Sequence, residues 1–221
     1  MKKPGAYDKN GNLVCELTRE EVEADRDWKT IFSAKGIPSE EQYRITKVVI
    51  PERTTKIGIC AFRNCKSLIS VEIPNSVTMI RSIAFYGCAS LFDISLPNSI
   101  VSIEGGAFYN CTFLKSLTIP DGMTIIEDST FYGCRSLDLV IPDTIQGIGY
   151  SAFENCISLK AVSIPDEITF IENYAFCGCT SLKSVTYHGE KYSNKTAIIE
   201  KLKENGIFIQ PNVFHNTQIQ S

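Results

Sequence analysis

Residues 97–120 read PNSIVSIEGGAFYNCTFLKSLTIP, and residues 74–96 before them read PNSVTMIRSIAFYGCASLFDISL. The two stretches align without a gap, and working outward the match continues. Pro51, Pro74, Pro97, Pro120, Pro142 and Pro165 share a spacing with Phe62, Phe85, Phe108, Phe131, Phe153 and Phe176. The cysteines Cys65, Cys88, Cys111, Cys134, Cys156 and Cys179 follow at intervals of 23, 23, 23, 22 and 23. The unit is I-P-x-x-[IV]-x-x-I-x-x-x-A-F-x-x-C-x-S-L-x-x-[IVL]-x-[IL]-P. A fixed period of this length is the signature of a solenoid, in which each unit buries its apolar face only by stacking on its neighbours.

Each part of the unit has a physical reading. The segment before each proline alternates inward and outward, as in Val71-Glu72-Ile73 and Leu117-Thr118-Ile119, which predicts a short strand. Proline ends it because it has no ladder donor. A second apolar pair follows, such as Val77 and Ile80, and then Ala-Phe, expected on one helical turn. The residue before each repeat cysteine is Asn64, Gly87, Asn110, Gly133, Asn155 or Gly178. Asparagine and glycine share tolerance of the left-handed backbone region, so a positive φ is predicted there in every coil. The cysteine is read as a small inward hydrophobe, one per coil, and not as half of a bridge. The single 22-residue interval places a deletion between Leu137 and Pro142, expected on a turn able to absorb it.

These residues are similar to those of the BspA-like leucine-rich-repeat family, over about residues 46–188. The motifs L-x-x-[IVL]-x-[IL]-P and A-F-x-x-C recur in register. The more common leucine-rich pattern is only partly met, since its Asn/Cys position holds Ser76, Ser99, Gly122, Thr144 or Glu167. The resemblance implies a right-handed α/β leucine-rich-repeat solenoid. It also implies a surface or secreted role in binding host or matrix proteins, as many members have.

Solenoids need covered ends. Residues 1–45 are expected to form a helical N-terminal cap. Thr18 and Glu21 form a capping box that starts a helix through about Ala34, with Trp28 packed on the first coil. Residues 46–188 are the solenoid, and residues 189–221 a C-terminal cap. In that cap, residues 187–192 read as a hairpin or turn, and Lys195 to Asn205 as a helix stopped by Gly206. Ile209 to Phe214 reads as a final half-coil with Thr217 in the cysteine slot.

A net charge of −3 gives no basic surface for nucleic acid, and no stretch approaches the ~18 apolar residues of a membrane span. The chain as written opens without the apolar core of an export signal, so surface or secreted location would require a leader that was removed. A zinc site of Cys177, Cys179 and His188 lacks paired spacing. Cys15, Cys60 and Cys177 lie off the repeat column, as free thiols or, for Cys15 and Cys60, a conceivable bridge. There is no phosphate loop, dinucleotide motif or nucleophile elbow. The expectation is a monomeric protein-binding module, not an enzyme, with no cofactor and no metal. The alternative is a structural or self-assembling scaffold without a small-molecule ligand.

Three surface columns are candidates. The outward strand position carries Val49, Glu72, Ser95, Thr118, Val140, Ser163 and Thr186, a flat face of small residues. After each phenylalanine come Arg63, Tyr86, Tyr109, Tyr132, Glu154 and Cys177, whose tyrosines predict a stack at the inter-strand spacing of roughly 5 Å. That stack is either an interface or a structural ladder. Met79, Ile125 and Phe170 are expected to face outward in a third column with Lys56, Ser102 and Gly147, and would mark an apolar interface.

Overall fold

Alternation before each proline builds one row of parallel strands, and the apolar pair after each proline builds another. A computed structural model describes residues 2–220. It is a β-solenoid of about six turns. The first ladder runs through Ile45–Val49, Ser70–Glu72 and Asp93–Ile94, with Asp93 bridged to Ser116. It resumes at Ala161–Ile164 and Ser184–Tyr187. The second ladder pairs Lys56–Ile57, Met79–Ile80 and Ser102–Ile103. A separate group follows, of Ile125–Ile126, Gly147–Ile148, Phe170–Ile171 and Phe208–Ile209. Ile57, Ile80, Ile103, Ile126, Ile148 and Ile171 all point into the core.

The first ladder has a gap, and the shortened coil lies within it. Leu117-Thr118-Ile119, expected as a strand, is not one, and neither are residues 139–141. The last bond across this side runs from the Asp138 N–H to the Lys115 carbonyl, at 3.0 Å. Among the described residues no backbone group of Leu139, Val140 or Ile141 has a hydrogen-bond partner. The first ladder is thus interrupted between Ser116 and Ala161, and it lapses on the coil of ordinary length at residues 117–119 as well as on the shortened one at residues 139–141. The second ladder's gap, between Ile103 and Ile126, has no counterpart in repeat length.

The Ala-Phe segment is a succession of turns, not a helical turn. The predicted positive φ is present at Asn64, Gly87, Asn110, Gly133, Asn155 and Gly178. A second left-handed residue precedes each by four: Cys60, Ile83, Gly106, Ser129, Ser151 and Tyr174. These six share no side-chain chemistry, so nothing in the repeat announces them. Between the two, the N–H of Phe62 donates to the Ala84 carbonyl at 2.8 Å, and the same bond recurs in every coil to Phe176 and Val213. The phenylalanine rings stack parallel from Phe62 to Phe214, with centroids 5.3 to 5.7 Å apart.

The cysteines do more than fill space. Cys88, Cys111, Cys134, Cys156 and Cys179 each donate a thiol hydrogen bond, at 3.0 to 3.2 Å, to the phenylalanine carbonyl of the preceding coil. That carbonyl also accepts the N–H of its own coil's cysteine, so both acceptor sites of a buried oxygen are filled.

At the N-terminus the expected single helix is two, α1 at Arg19–Glu23 and α2 at Trp28–Ala34. The capping box of Thr18 and Glu21 is present, and Asp27 caps α2. The break lets residues 22–25 satisfy the open start of the second ladder. The Val22 carbonyl accepts the Gly58 N–H, Glu23 accepts from Thr55, and Asp25 accepts from Ile59. A Cβ at Gly58 would lie 2.1 Å from the Ala24 carbonyl oxygen, so glycine permits this approach. Trp28 packs on Phe62 at 5.1 Å and starts the ring column. The cap also contains an unanticipated hairpin, Gly5–Asp8 with Leu13–Glu16, which adds antiparallel to Ile45–Val49. At the other end Glu190–Tyr192 forms the hairpin with Ser184–Tyr187. The helix α3 is Lys195–Glu204, burying Ile198 and Leu202. Phe214 closes the ring column, and Thr217 bonds its carbonyl.

Asparagine and glycine alternate strictly because each asparagine oxygen occupies the space above it. A Cβ on Gly87, Gly133 or Gly178 would meet the Oδ1 of Asn64, Asn110 or Asn155 at 2.5, 2.2 or 2.3 Å. Gly133→Ala should therefore cost about 2 kcal/mol or more, combining left-handed strain with this clash. Adding Asn110→Gly should recover the clash and leave the strain, a coupling that urea unfolding of both single variants and the double measures.

Candidate binding surface

Alternation aims one residue of each strand segment outward, and the exposed positions include most of the predicted column. Glu72, Ser95, Thr118, Val140 and Ser163 are exposed, Val140 at 78%. Thr186 is half-buried, and Glu72 is ion-paired with Lys47 of the neighbouring strand. Val49 departs from expectation: it is buried, beside the added strand Gly5–Asp8 that pairs Gly5 with Val49.

The tyrosines form one stack. Tyr86 and Tyr109 lie 4.9 Å apart and Tyr109 and Tyr132 4.4 Å, nearly parallel. Arg63 sits over the Tyr86 ring at 5.4 Å, a cation–π contact. The Asn155 amide donates to the Tyr132 hydroxyl at 3.4 Å. All three rings are half-buried. Burial, with the Tyr132, Tyr86 and Glu154 groups nearby, pushes the Tyr109 phenol up to about 12. The stack therefore shows packing along the corner, with its edges left to solvent. In the third column Ile125 is exposed at 39%, while Met79 and Phe170 are half-buried, Phe170 lying across Gly147. Phe208, not foreseen there, extends the row.

Nine free thiols are present. Cys179 is committed to the Phe153 carbonyl, and His188 lies 3.3 Å from Asp166, so the two are engaged separately. Among the described residues no three His, Cys, Asp or Glu side chains converge on a metal position, and no helix is long and apolar enough to cross a membrane. Burial pushes Cys15 up to about 11 and Cys179 to about 12. Cys177, at the end of the tyrosine column, is also buried and raised by desolvation.

Sequence reasoning missed one part of the strand face. Two shallow troughs of about 450 and 340 Å³ flank residues 116–118. Asp93, Ser95 and Asn98 line one side, and Asp138, Leu139 and Val140 the other. The 22-residue interval was the signal for this place, since the second trough lies along the shortened coil.

The family model described as BspA type leucine rich repeat region matches residues 40–160 and 114–221, in six copies. Three solved structures are similar. A leucine rich cell surface protein of Faecalibacterium prausnitzii is 36% identical with a TM-score of 0.62, over 68% of this chain and 41% of that one. The T. pallidum leucine rich repeat protein is 27% identical with a TM-score of 0.65, over 77% of this chain and 86% of that one. A leucine-rich repeat protein of Bacteroides ovatus is 25% identical with a TM-score of 0.55, over 76% and 54%. The chain thus spans about 41% of the Faecalibacterium protein's length. No curated protein matches it significantly.

Because buried thiols hold their protons more tightly than unfolded ones, stability should depend on pH. The contribution is fully present below the ordinary thiol value of 9.0 and is lost as pH rises toward the folded values of about 11 and 12. Urea midpoints should be flat below pH 8 and fall between pH 9 and 11. Over the same range the column cysteines should stay unreactive to a thiol reagent until the protein unfolds.

Proposed function

The chain belongs to the BspA-type leucine-rich-repeat family, and from this premise we propose that it is a protein-binding solenoid, adhesin-like, acting on a bacterial surface. The observation that carries the proposal is the division of labour between residues. Those that recur in every coil are used for stacking, whereas the exposed first-ladder face varies from coil to coil. A partner is recognised through what varies. The face of Glu72, Ser95, Thr118, Val140 and Ser163 is the main contact, and the edges of Tyr86, Tyr109 and Tyr132 form a second one. Tyrosine suits such a role because it offers apolar area with a polar tip. The similar Faecalibacterium structure is described as a cell surface protein, which supports the location. In this reading the chain is a monomer without cofactor or catalytic step.

A second reading, as a self-assembling scaffold, draws on one feature. Phe208–Ile209 ends the second ladder with one edge unpaired, and Phe208 is 60% exposed. Unpaired edges invite pairing with another chain. Solution scattering over a concentration series separates the two, since end-to-end assembly gives mass growing with length.

Surface plasmon resonance against a panel of purified host matrix proteins tests the main reading. The face variant Ser95→Glu/Thr118→Glu/Ser163→Glu should lower the affinity of any wild-type interaction at least tenfold. The variant Tyr86→Ser/Tyr109→Ser/Tyr132→Ser should abolish it, with unfolding still cooperative in both. Unchanged affinity removes the site concerned.

A further inference from the structure

The second ladder presents a side of the coil that neither the first-ladder face nor the tyrosine stack occupies. From the coil of Pro120 onward its outward column is Ile125, Gly147, Phe170 and Phe208, in register. Ile125 is 39% exposed and Phe208 60%, and the Phe170 ring lies across Gly147, so the row is continuous. The adjoining column is flat, with Thr124 and Thr169 exposed and Val101 one coil earlier. An exposed apolar row of this kind marks an interaction site.

Carboxylates border the row on both sides. Four residues before Ile125, Gly147 and Phe170 stand Asp121, Asp143 and Asp166, with Glu167 next to the last, all exposed. Two residues after Ile125 and Phe170 stand Glu127 and Glu172, with Asp128 beside the first. Residues 120–133, 142–155 and 165–178, which carry this side of three consecutive coils, contain no lysine, arginine or histidine. The cations at its borders are engaged or offset. Arg81 is held by Glu104, His188 lies 3.3 Å from Asp166, and Lys203 at the end of α3 is followed by Glu204. Arg135, Lys160 and Lys183 fall between the cysteine corner and the first ladder, on other sides of the coil. Partial burial, with Asp128 and Glu104 nearby, holds the Glu127 carboxyl above the usual carboxylate range, and none of the groups acting on it is a cation.

We infer that the second-ladder side of the coils beginning at Pro120, Pro142 and Pro165 binds a helix of a partner protein, one apolar stripe of which is flanked by lysine or arginine. The ladder backbone is already bonded from coil to coil, so recognition falls to side chains and not to strand addition. A helix running along the stack advances about 5.4 Å per turn, close to the ~4.8 Å step between strands, so each turn meets one coil. Its apolar stripe covers Ile125, Phe170 and Phe208, and its cationic shoulders meet the two carboxylate rows. A second copy of this chain fits poorly. Paired about Ile125, each copy would set Asp121, Glu127 and Asp128 near the same residues of the other. The site is separate from the first-ladder face, and either can bind without the other.

The test uses the full chain and a fluorescein-labelled peptide of leucine, lysine and alanine, about five helical turns long, with its leucines in one stripe. Fluorescence anisotropy is read at about physiological salt. The peptide should bind saturably and gain helical circular dichroism, and a scramble of the same composition without a stripe should bind at least tenfold more weakly. Asp121→Asn/Glu127→Gln/Glu172→Gln should cost at least tenfold, without lowering the urea midpoint. Glu16→Gln/Glu40→Gln/Asp138→Asn, an equal charge change elsewhere, should leave binding unaltered. Val101→Ser/Ile125→Ser, at two exposed positions, should weaken it at least fivefold. No binding at millimolar peptide, equal binding of the scramble, equal loss in both charge variants, or full binding by the serine variant overturns the inference. Sedimentation of the wild type should show a monomer at concentrations where peptide binds. A dimer that the serine variant dissolves assigns this side to a second copy and overturns the inference as well.

Discussion

In each coil the corner phenylalanine N–H donates to a carbonyl of the next coil at 2.8 to 2.9 Å, and its ring stacks on the next ring. The following cysteine sends its thiol back to the preceding coil's phenylalanine carbonyl. This corner is the contact that does not lapse. The first ladder lapses between Ser116 and Ala161 and the second between Ile103 and Ile126, yet the Phe108–Phe131 and Phe131–Phe153 stacks run past both gaps. Coil-to-coil coupling therefore resides in the corner, and the ladders can vary because it holds.

That division explains where this member of the BspA-type family has room for specificity. Corner positions must supply a flat ring, a left-handed residue and a small thiol donor, so they repeat. Strand positions facing solvent need only permit a strand. Where even the strand is dispensable, as at residues 139–141, the sequence can shorten without losing the stack.

Much of the corner was legible beforehand. The Asn/Gly alternation before each cysteine predicted six positive φ values, and all six occur. What could not be read was why the alternation is strict, because the reason is the Asn110 oxygen lying over Gly133, a neighbour 23 residues away. The second left-handed set has no mark in the repeat for the opposite reason. Cys60, Ile83 and Tyr174 have no common tolerance for that conformation, and tertiary hydrogen bonds impose it. The pattern from Thr18 to Ala34 is helical throughout, yet the chain forms two helices. The helix ends at Glu23, whose carboxylate accepts from Thr55, and beyond it Asp25 accepts from Ile59, partners that local propensity cannot see.

The sequence by itself determined the repeat, its corner columns of phenylalanine, cysteine and Asn/Gly, the tyrosine stack and the exposed face of Glu72, Ser95, Thr118, Val140 and Ser163. A period of 23 with fixed apolar slots has one economical solution, which is stacking. Tertiary structure alone decided how the ends are covered, that Val49 is buried, and that the first ladder lapses between Ser116 and Ala161. These depend on whether a backbone group reaches a partner in another coil, and that is a matter of distance across the stack, not of the residues along it.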